Sequence, residues 1–253
     1  MTQPIDLHIH SSFSDGKDDP EDIVLAAIDM GLTTIGFSDH AFALQDLEYC
    51  IPEDRIEAYK ETIRQLSMKY RDRITIYCGI EQDLDSPFGT EGFDYAIGSV
   101  HHLCRDGSSA AVDDTPEILK DARDRLFGGD IYALTENYYQ RVAMLPQRHR
   151  FQIVGHFDLV SKFNEKERLF DPSHPRYAAA WQAAADSLLQ THRLFEINTG
   201  AISRGWRSEP YPSREMISYI AKRGGSFLLS SDSHSKETLA FQFDKWEHLN
   251  ALP

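Results

Sequence analysis

Seven short apolar runs, set at intervals along the chain and separated by helix-like stretches, constrain the fold more than any other feature. They are Ile5–His8, Thr34–Phe37, Ile74–Cys78, Tyr95–Val100, Gln152–Gly155, Leu194–Ile197 and Ser226–Ser230. Each is apolar and partly β-branched, the pattern of strands covered on both faces. The gaps carry helical spacing. Asp19-Pro20-Glu21-Asp22 predicts an N-cap, a proline at the first helical position and an acidic first turn. Ile23, Val24, Ala27 and Ile28 then share a face, and Gly31 is the stop. Further apolar faces are Ile56, Tyr59, Ile63, Leu66 and Tyr70 behind Pro52, then Ile131, Leu134, Tyr138 and Val142. Tyr177, Trp181, Ala184 and Leu188 form another, and Met216, Ile217 and Ile220 a shorter one. Strands alternating with helices imply a parallel sheet, and seven such units imply an α/β barrel, closed or nearly so. A length of 253 residues suits a single domain of that kind over 1–253. Residues 103–129 exceed what a strand–helix connection needs. Gly107-Ser108-Ser109 there reads as mobile, and Thr115-Pro116-Glu117 as the cap of a small extra helix. Such an insertion is either a lid or a plain surface excursion.

Composition narrows the function classes. Lys plus Arg total 26 against 40 Asp plus Glu, a net charge of −14, which disfavours nucleic acid or an anionic membrane as partner. The three cysteines Cys50, Cys78 and Cys104 contain no C-x-x-C, so neither a disulfide framework nor a thiolate zinc site is expected. Met1-Thr2-Gln3-Pro4-Ile5-Asp6 lacks a basic and apolar leader pattern, and no apolar run approaches a bilayer span; a cytoplasmic protein is expected.

The 11 histidines are informative by position. His8 and His10 close the first run, Ser38-Asp39-His40 follows the second, and Gly79-Ile80-Glu81 the third. His101 and His102 end the fourth, His156 the fifth, and Asp232 and His234 follow the seventh. Six strand ends thus deliver imidazole or carboxylate to the carboxyl-end face of the barrel, where such folds build active sites. His8-Ile9-His10 sets two imidazoles on one side of an extended chain, and Asp232 and His234 share that spacing. Imidazole and carboxylate without thiolate suit Zn²⁺, Mn²⁺ or Fe²⁺. Six histidines and three carboxylates exceed the needs of one ion, so Glu81 is read as a bridge in a multinuclear site. Asp15 is the ninth candidate, its alternative being a turn residue. Asp6, Asp39 and Asp158 are candidates to orient the imidazoles from behind. His149, His174, His192 and His248 read as surface residues. Ser38 and Ser230-Ser231 lack a G-x-S-x-G elbow and are not read as nucleophiles.

The ordered set Asp6–His10, Ser14-Asp15-Gly16, Ser38-Asp39-His40, Gly79–Glu81, Gly98–His101, Gly155-His156 and Ser231–His234 resembles the polymerase-and-histidinol-phosphatase (PHP) family. The resemblance implies a distorted (β/α)7 barrel, TIM-barrel-like, carrying three divalent metal ions. It implies a first ion on His8, His10, Glu81 and Asp232, a second on Glu81, His101 and His156, and a third on Asp15, His40 and His234. Within the family, Glu196–Arg204 followed by Glu209-Pro210-Tyr211-Pro212 resembles the histidinol-phosphate phosphatase branch. That implies a phosphate contact from Arg204, with Arg207 the next candidate and Lys162 a further one. The implied reaction is hydrolysis of a small phosphate monoester by a water acidified between two ions, with Glu81, Asp232 and Arg204 at its centre. His102 is a candidate proton donor or substrate contact, although alternation turns it away from His101, which favours packing. Three rivals stand beside this reading: a nucleotide phosphoesterase or nuclease on the same site, an amidohydrolase-type barrel, and a metal-binding module without catalysis. The amidohydrolase pattern wants a bridging modified lysine where this chain has Glu81. Glu196 and Asn198 either bind substrate or brace the sixth strand.

Overall fold

A computed structural model describes residues 5–192 and 194–250; Met1–Pro4, the start of the segment without a leader pattern, lie outside them. Its strands are β1 (Ile5–Ile9), β2 (Thr34–Phe37), β3 (Thr75–Asp83), β4 (Tyr95–Ser99), β5 (His102–Arg105), β6 (Ser108–Ala111), β7 (Ile153–Val154), β8 (Leu194–Asn198) and β9 (Ser226–Ser230). The helices are α1 (Pro20–Asp29), α2 (Ile56–Tyr70), α3 (Pro116–Phe127), α4 (Ile131–Arg148), α5 (Asn164–Glu167), α6 (Pro175–Leu188), α7 (Gly200–Ser203), α8 (Arg214–Ala221) and α9 (Phe243–Asn250).

Seven strands pair in the order β1-β2-β3-β4-β7-β8-β9, every pair parallel. The ring nearly closes where His10 N donates to Ser233 O at 2.8 Å and Ser233 N donates to His8 O at 3.1 Å. This is the expected distorted (β/α)7 barrel. The helices bury the apolar faces that their spacing marked: Ile23, Val24 and Ala27 on α1, and Tyr177, Trp181, Ala184 and Leu188 on α6. Full burial of one of the larger of these, such as Ile23, Val24 or Leu188, is worth about 1.5–3 kcal/mol. Asp19 precedes α1 in extended conformation, but its carboxylate accepts from Ser12 Oγ at 2.7 Å instead of capping the helix. Inside the barrel, the Tyr95 hydroxyl donates to Leu7 O at 2.6 Å. A Cβ at Gly36 or Gly79 would overlap the Tyr95 ring or hydroxyl.

Residues 103–129 are more ordered than their composition suggested. β5 and β6 form an antiparallel hairpin whose Arg105↔Ser108 pair leaves only Asp106-Gly107 in the turn. Both turn residues have positive φ, 50° and 77°, as a type I′ turn requires. α3 follows, capped by Thr115 Oγ1 accepting from Ile118 N at 3.2 Å. Among the described residues, no helix is long and apolar enough to cross a membrane.

Candidate metal centre

β3 is longer than its apolar core implied and carries Glu81 within the strand, not after it. Glu81 is 1% exposed and lies at the centre of the six strand ends. Its Oε1 is 2.8 Å from His156 Nε2 and 3.3 Å from His101 Nε2. Its Oε2 is 3.0 Å from His40 Nδ1, 3.3 Å from His8 Nε2 and 3.6 Å from His10 Nε2. Asp232 Oδ1 lies 3.4 Å from His10 Nε2, and Asp15 Oδ2 2.9 Å from His234 Nε2. Backbone pairing sets these positions: Glu81 N donates to Asp39 O, and Ala41 N to Glu81 O, so His40 is held beside Glu81. Asp232 sits at φ 49°, a left-handed turn that a short polar side chain tolerates. Gly200 leaves space for it, since a Cβ there would meet the Asp232 carboxylate and Arg204.

The groups that orient these imidazoles are not those first expected. Asp6 takes Ser231 N, Ser231 Oγ and Ala240 N, and touches no imidazole. A one-residue register shift in β1 between Asp6 and Ile9 breaks the alternation on which its candidacy rested. Asp39 accepts from the backbone and hydroxyls of Ser11 and Ser14, and Asp158 from Ser161 Oγ and Arg207. Instead, Glu196 Oε1 meets His8 Nδ1 at 2.5 Å, and Asp83 Oδ2 meets His101 Nδ1 at 3.0 Å. Asp83 was legible in principle, because it shares parity with Glu81 on an extended β3. Glu196 also accepts from His156 N at 2.9 Å, so it braces two histidines.

Charges in the cluster oppose one another strongly. Burial favours a neutral Glu81, but the imidazoles of His8, His40 and His101 hold it well below the usual carboxylate range. Burial also disfavours charge on His40, yet Glu81 and Asp15 raise it to about 9. His10 goes the other way: burial, then the neighbouring His234 and His40, lower it to about 3. Several buried polar atoms have no hydrogen-bond partner: His8 Nε2, both His10 ring nitrogens, Glu81 Oε2 and His156 Nδ1. Each such atom costs about 1–3 kcal/mol. Nitrogen and carboxylate donors so arranged fit divalent cations. Four groupings have donor atoms within 4.8 Å of one another: His10-Asp15-His40-His234, His8-Glu81-His156, His8-His10-Asp232 and His40-Glu81-His101.

The cluster floors a cavity of about 350 Å³ that also reaches Asp46, His102, Asp113, Lys162, Arg204 and Tyr211. Arg204, just after α7, donates through Nη2 to Asp232 O at 3.1 Å and lies 2.7 Å from His234 Nδ1. Lys162 Nζ donates to Asp113 O at 2.6 Å and pairs with its carboxylate at 3.2 Å. Arg207 is not on the cavity wall. Its guanidinium is tied to Asp158, Ser161 Oγ and Pro210 O, and lies over the Tyr211 ring. His102 opens β5 and does reach the cavity, with Nδ1 3.2 Å from Asp46 Oδ2. All four histidines read as surface residues have structural contacts, His248 with the Trp246 ring. His149 lies 3.0 Å from Leu84 O, His174 stacks on Tyr132 and caps α6, and His192 stacks on Phe151.

Known proteins resemble this one across nearly its whole length. A probable histidinol-phosphatase of Deinococcus radiodurans is 29% identical over 96% of this chain and 91% of its own. One of the same name from Schizosaccharomyces pombe is 27% identical over 95% of this chain and 83% of its own. A crystal structure of histidinol phosphate phosphatase from Lactococcus lactis, complexed with Zn, L-histidinol and phosphate, has the same fold. It superposes with a TM-score of 0.71 at 21% identity, over 98% of this chain and 92% of its own. The family model described as the PHP domain matches residues 6–200, and the chain belongs to that family.

Proposed function

We propose that this protein hydrolyses L-histidinol phosphate to L-histidinol and inorganic phosphate, as a cytoplasmic enzyme of histidine biosynthesis with three divalent cations. One observation carries the reading: eight imidazole and carboxylate side chains converge around Glu81 at the floor of a small cavity with Arg204 on its wall. The names of the relatives and the Zn, L-histidinol and phosphate in the Lactococcus structure support it. His8, His10, Glu81 and Asp232 are proposed to hold the first cation, Glu81, His101 and His156 the second, and Asp15, His40 and His234 the third. Their donor chemistry suits Zn²⁺, Mn²⁺ or Fe²⁺. When bound, such cations supply Lewis acidity toward water and toward the phosphoryl oxygens.

The side chains of the chain do the rest. Glu196 and Asp83 keep a proton on Nδ1 of His8 and His101, which leaves each Nε2 lone pair turned toward Glu81. Arg204 offers a permanently charged, forked donor to a non-bridging phosphoryl oxygen. Lys162, fixed by Asp113, adds a second positive charge to the cavity lining. Elemental analysis of purified protein, together with phosphate release from L-histidinol phosphate, nucleoside monophosphates and short DNA, tests the proposal. Two to three bound transition-metal ions and preference for L-histidinol phosphate are expected. Full activity in chelator, or preference for a nucleotide, overturns it.

A further inference from the structure

The cavity has two walls of different charge. Outside the imidazole cluster, its lining contributes the cations Lys162 and Arg204 and the carboxylates Asp46, Asp113 and Asp114. Lys162 is committed to Asp113, and Arg204 to Asp232. Among the described residues, no lysine or arginine pairs with Asp46 or Asp114. Among the described residues the basic group within 4 Å of Asp46 is His102, which is 5% exposed, and the more distant His101 and His40 also favour its charged form. Its Nδ1 lies 3.2 Å from Asp46 Oδ2 but makes no hydrogen bond, so the pair is close without being aligned. The resulting negative field reaches Tyr49, whose hydroxyl is pushed up by Asp114 first, then by burial and by Glu48 and Asp46.

The position of Asp46 matters as much as its charge. It sits six residues beyond His40, in a turn where Tyr49 N and Cys50 N donate to Asp46 O at 2.9 and 3.0 Å. Ile51 N then donates to His40 O, which ties the turn back to the cluster. His102 follows His101 directly. The acidic wall is therefore anchored to the same two strand ends that deliver His40 and His101. A phosphate ester whose phosphoryl group binds at the cluster and Arg204 has its alcohol half within the same cavity of about 350 Å³ that Asp46 lines. An ammonium there meets a half-buried carboxylate that otherwise has no aligned donor.

We infer that Asp46, backed by His102, is a specificity determinant that receives the ammonium group of the alcohol half of the substrate. The inference rests on the phosphatase reading above and selects cationic over uncharged esters. The test measures kcat/KM for L-histidinol phosphate, phosphorylethanolamine and phenyl phosphate in the wild type and in Asp46→Asn, with metal content and Tm as folding controls. The wild type is expected to favour the ammonium esters, and Asp46→Asn to cut that preference about tenfold or more, the scale of a lost charge-assisted hydrogen bond. A preference within about twofold of wild type overturns the inference. Wild-type protein supplies a second measurement should the variant fail to fold. Calorimetric binding of L-histidinol is expected to exceed that of its N-acetyl derivative about tenfold, and equal affinities overturn the inference. A wild type that prefers phosphorylethanolamine, with the preference lost in Asp46→Asn, upholds Asp46 and overturns histidinol phosphate as the substrate.

Discussion

The two walls of the cavity are built by different means. The imidazole wall stands at the ends of hydrogen-bonded parallel strands: His8 and Glu81 lie within β1 and β3, and most of the other cluster residues follow a strand directly. The facing wall comes from the turn around Asp46, from Ala111 at the end of β6 and from the segment between β6 and α3, which contributes Asp113 and Asp114. In the enzyme proposed above, strand ends suit chemistry that needs sub-ångström placement, and connections suit selectivity that can change without disturbing it.

Glu81→Ala probes this contrast with the largest expected effect. Removing the carboxylate that touches five histidines should cut kcat/KM at least about a thousandfold and lower metal content, as read by steady-state kinetics and elemental analysis. Arg204 and Arg207 come next, three positions apart with opposite roles. Arg204→Ala should reduce kcat/KM about a hundredfold and, because the Arg204 side chain is more exposed, lower Tm less than Arg207→Ala does, and Arg204→Lys should recover only part. Arg207→Ala leaves the buried Asp158 carboxylate without its cation, so it should cost about 3 kcal/mol or more of stability in a denaturant titration. A Tm loss in Arg204→Ala together with none in Arg207→Ala would reverse their assignment. Glu196→Gln should be milder, about 10- to 100-fold in metal affinity, because His8 loses the acceptor that orients it.

The smallest effect is in pH dependence. In metal-free protein, burial opposes charge on His40 but Glu81 and Asp15 hold its value at about 9. Its contribution to stability is therefore complete below the ordinary imidazole range and is lost as pH rises through about 9. Metal binding requires the neutral ring, so loaded protein should gain stability relative to metal-free protein over that window, and loading at neutral pH should release protons. Tm measured against pH with and without metal, and a dye assay of proton release, check both signs.

The imidazole wall was legible because its residues follow apolar runs that declare the strands, and all seven runs form the barrel. Its supports were less so. Parity failed at Asp6 because β1 carries a register shift, and Asp83 was passed over because β3 continues beyond its β-branched core. The hairpin was hidden in a Gly-Ser stretch, although Asp106-Gly107 is itself a turn signal. Asp46 carried no sequence signal, since its partner His102 is 56 positions away and only the fold brings them together.

Tyr95 has a consequence for how this sequence can drift. Its side chain occupies the space that a methyl group at Gly36 or at Gly79 would need, and its hydroxyl serves Leu7 on β1, three strands away in the sheet. The three positions can therefore change only in order. A smaller residue must replace Tyr95 before either glycine can acquire a side chain, and that first step leaves a cavity and an unpaired carbonyl of Leu7. Single substitutions at the glycines are blocked by overlap, and the route around them begins with a loss of stability. Descendants of this chain should either keep all three residues or have replaced them as a set.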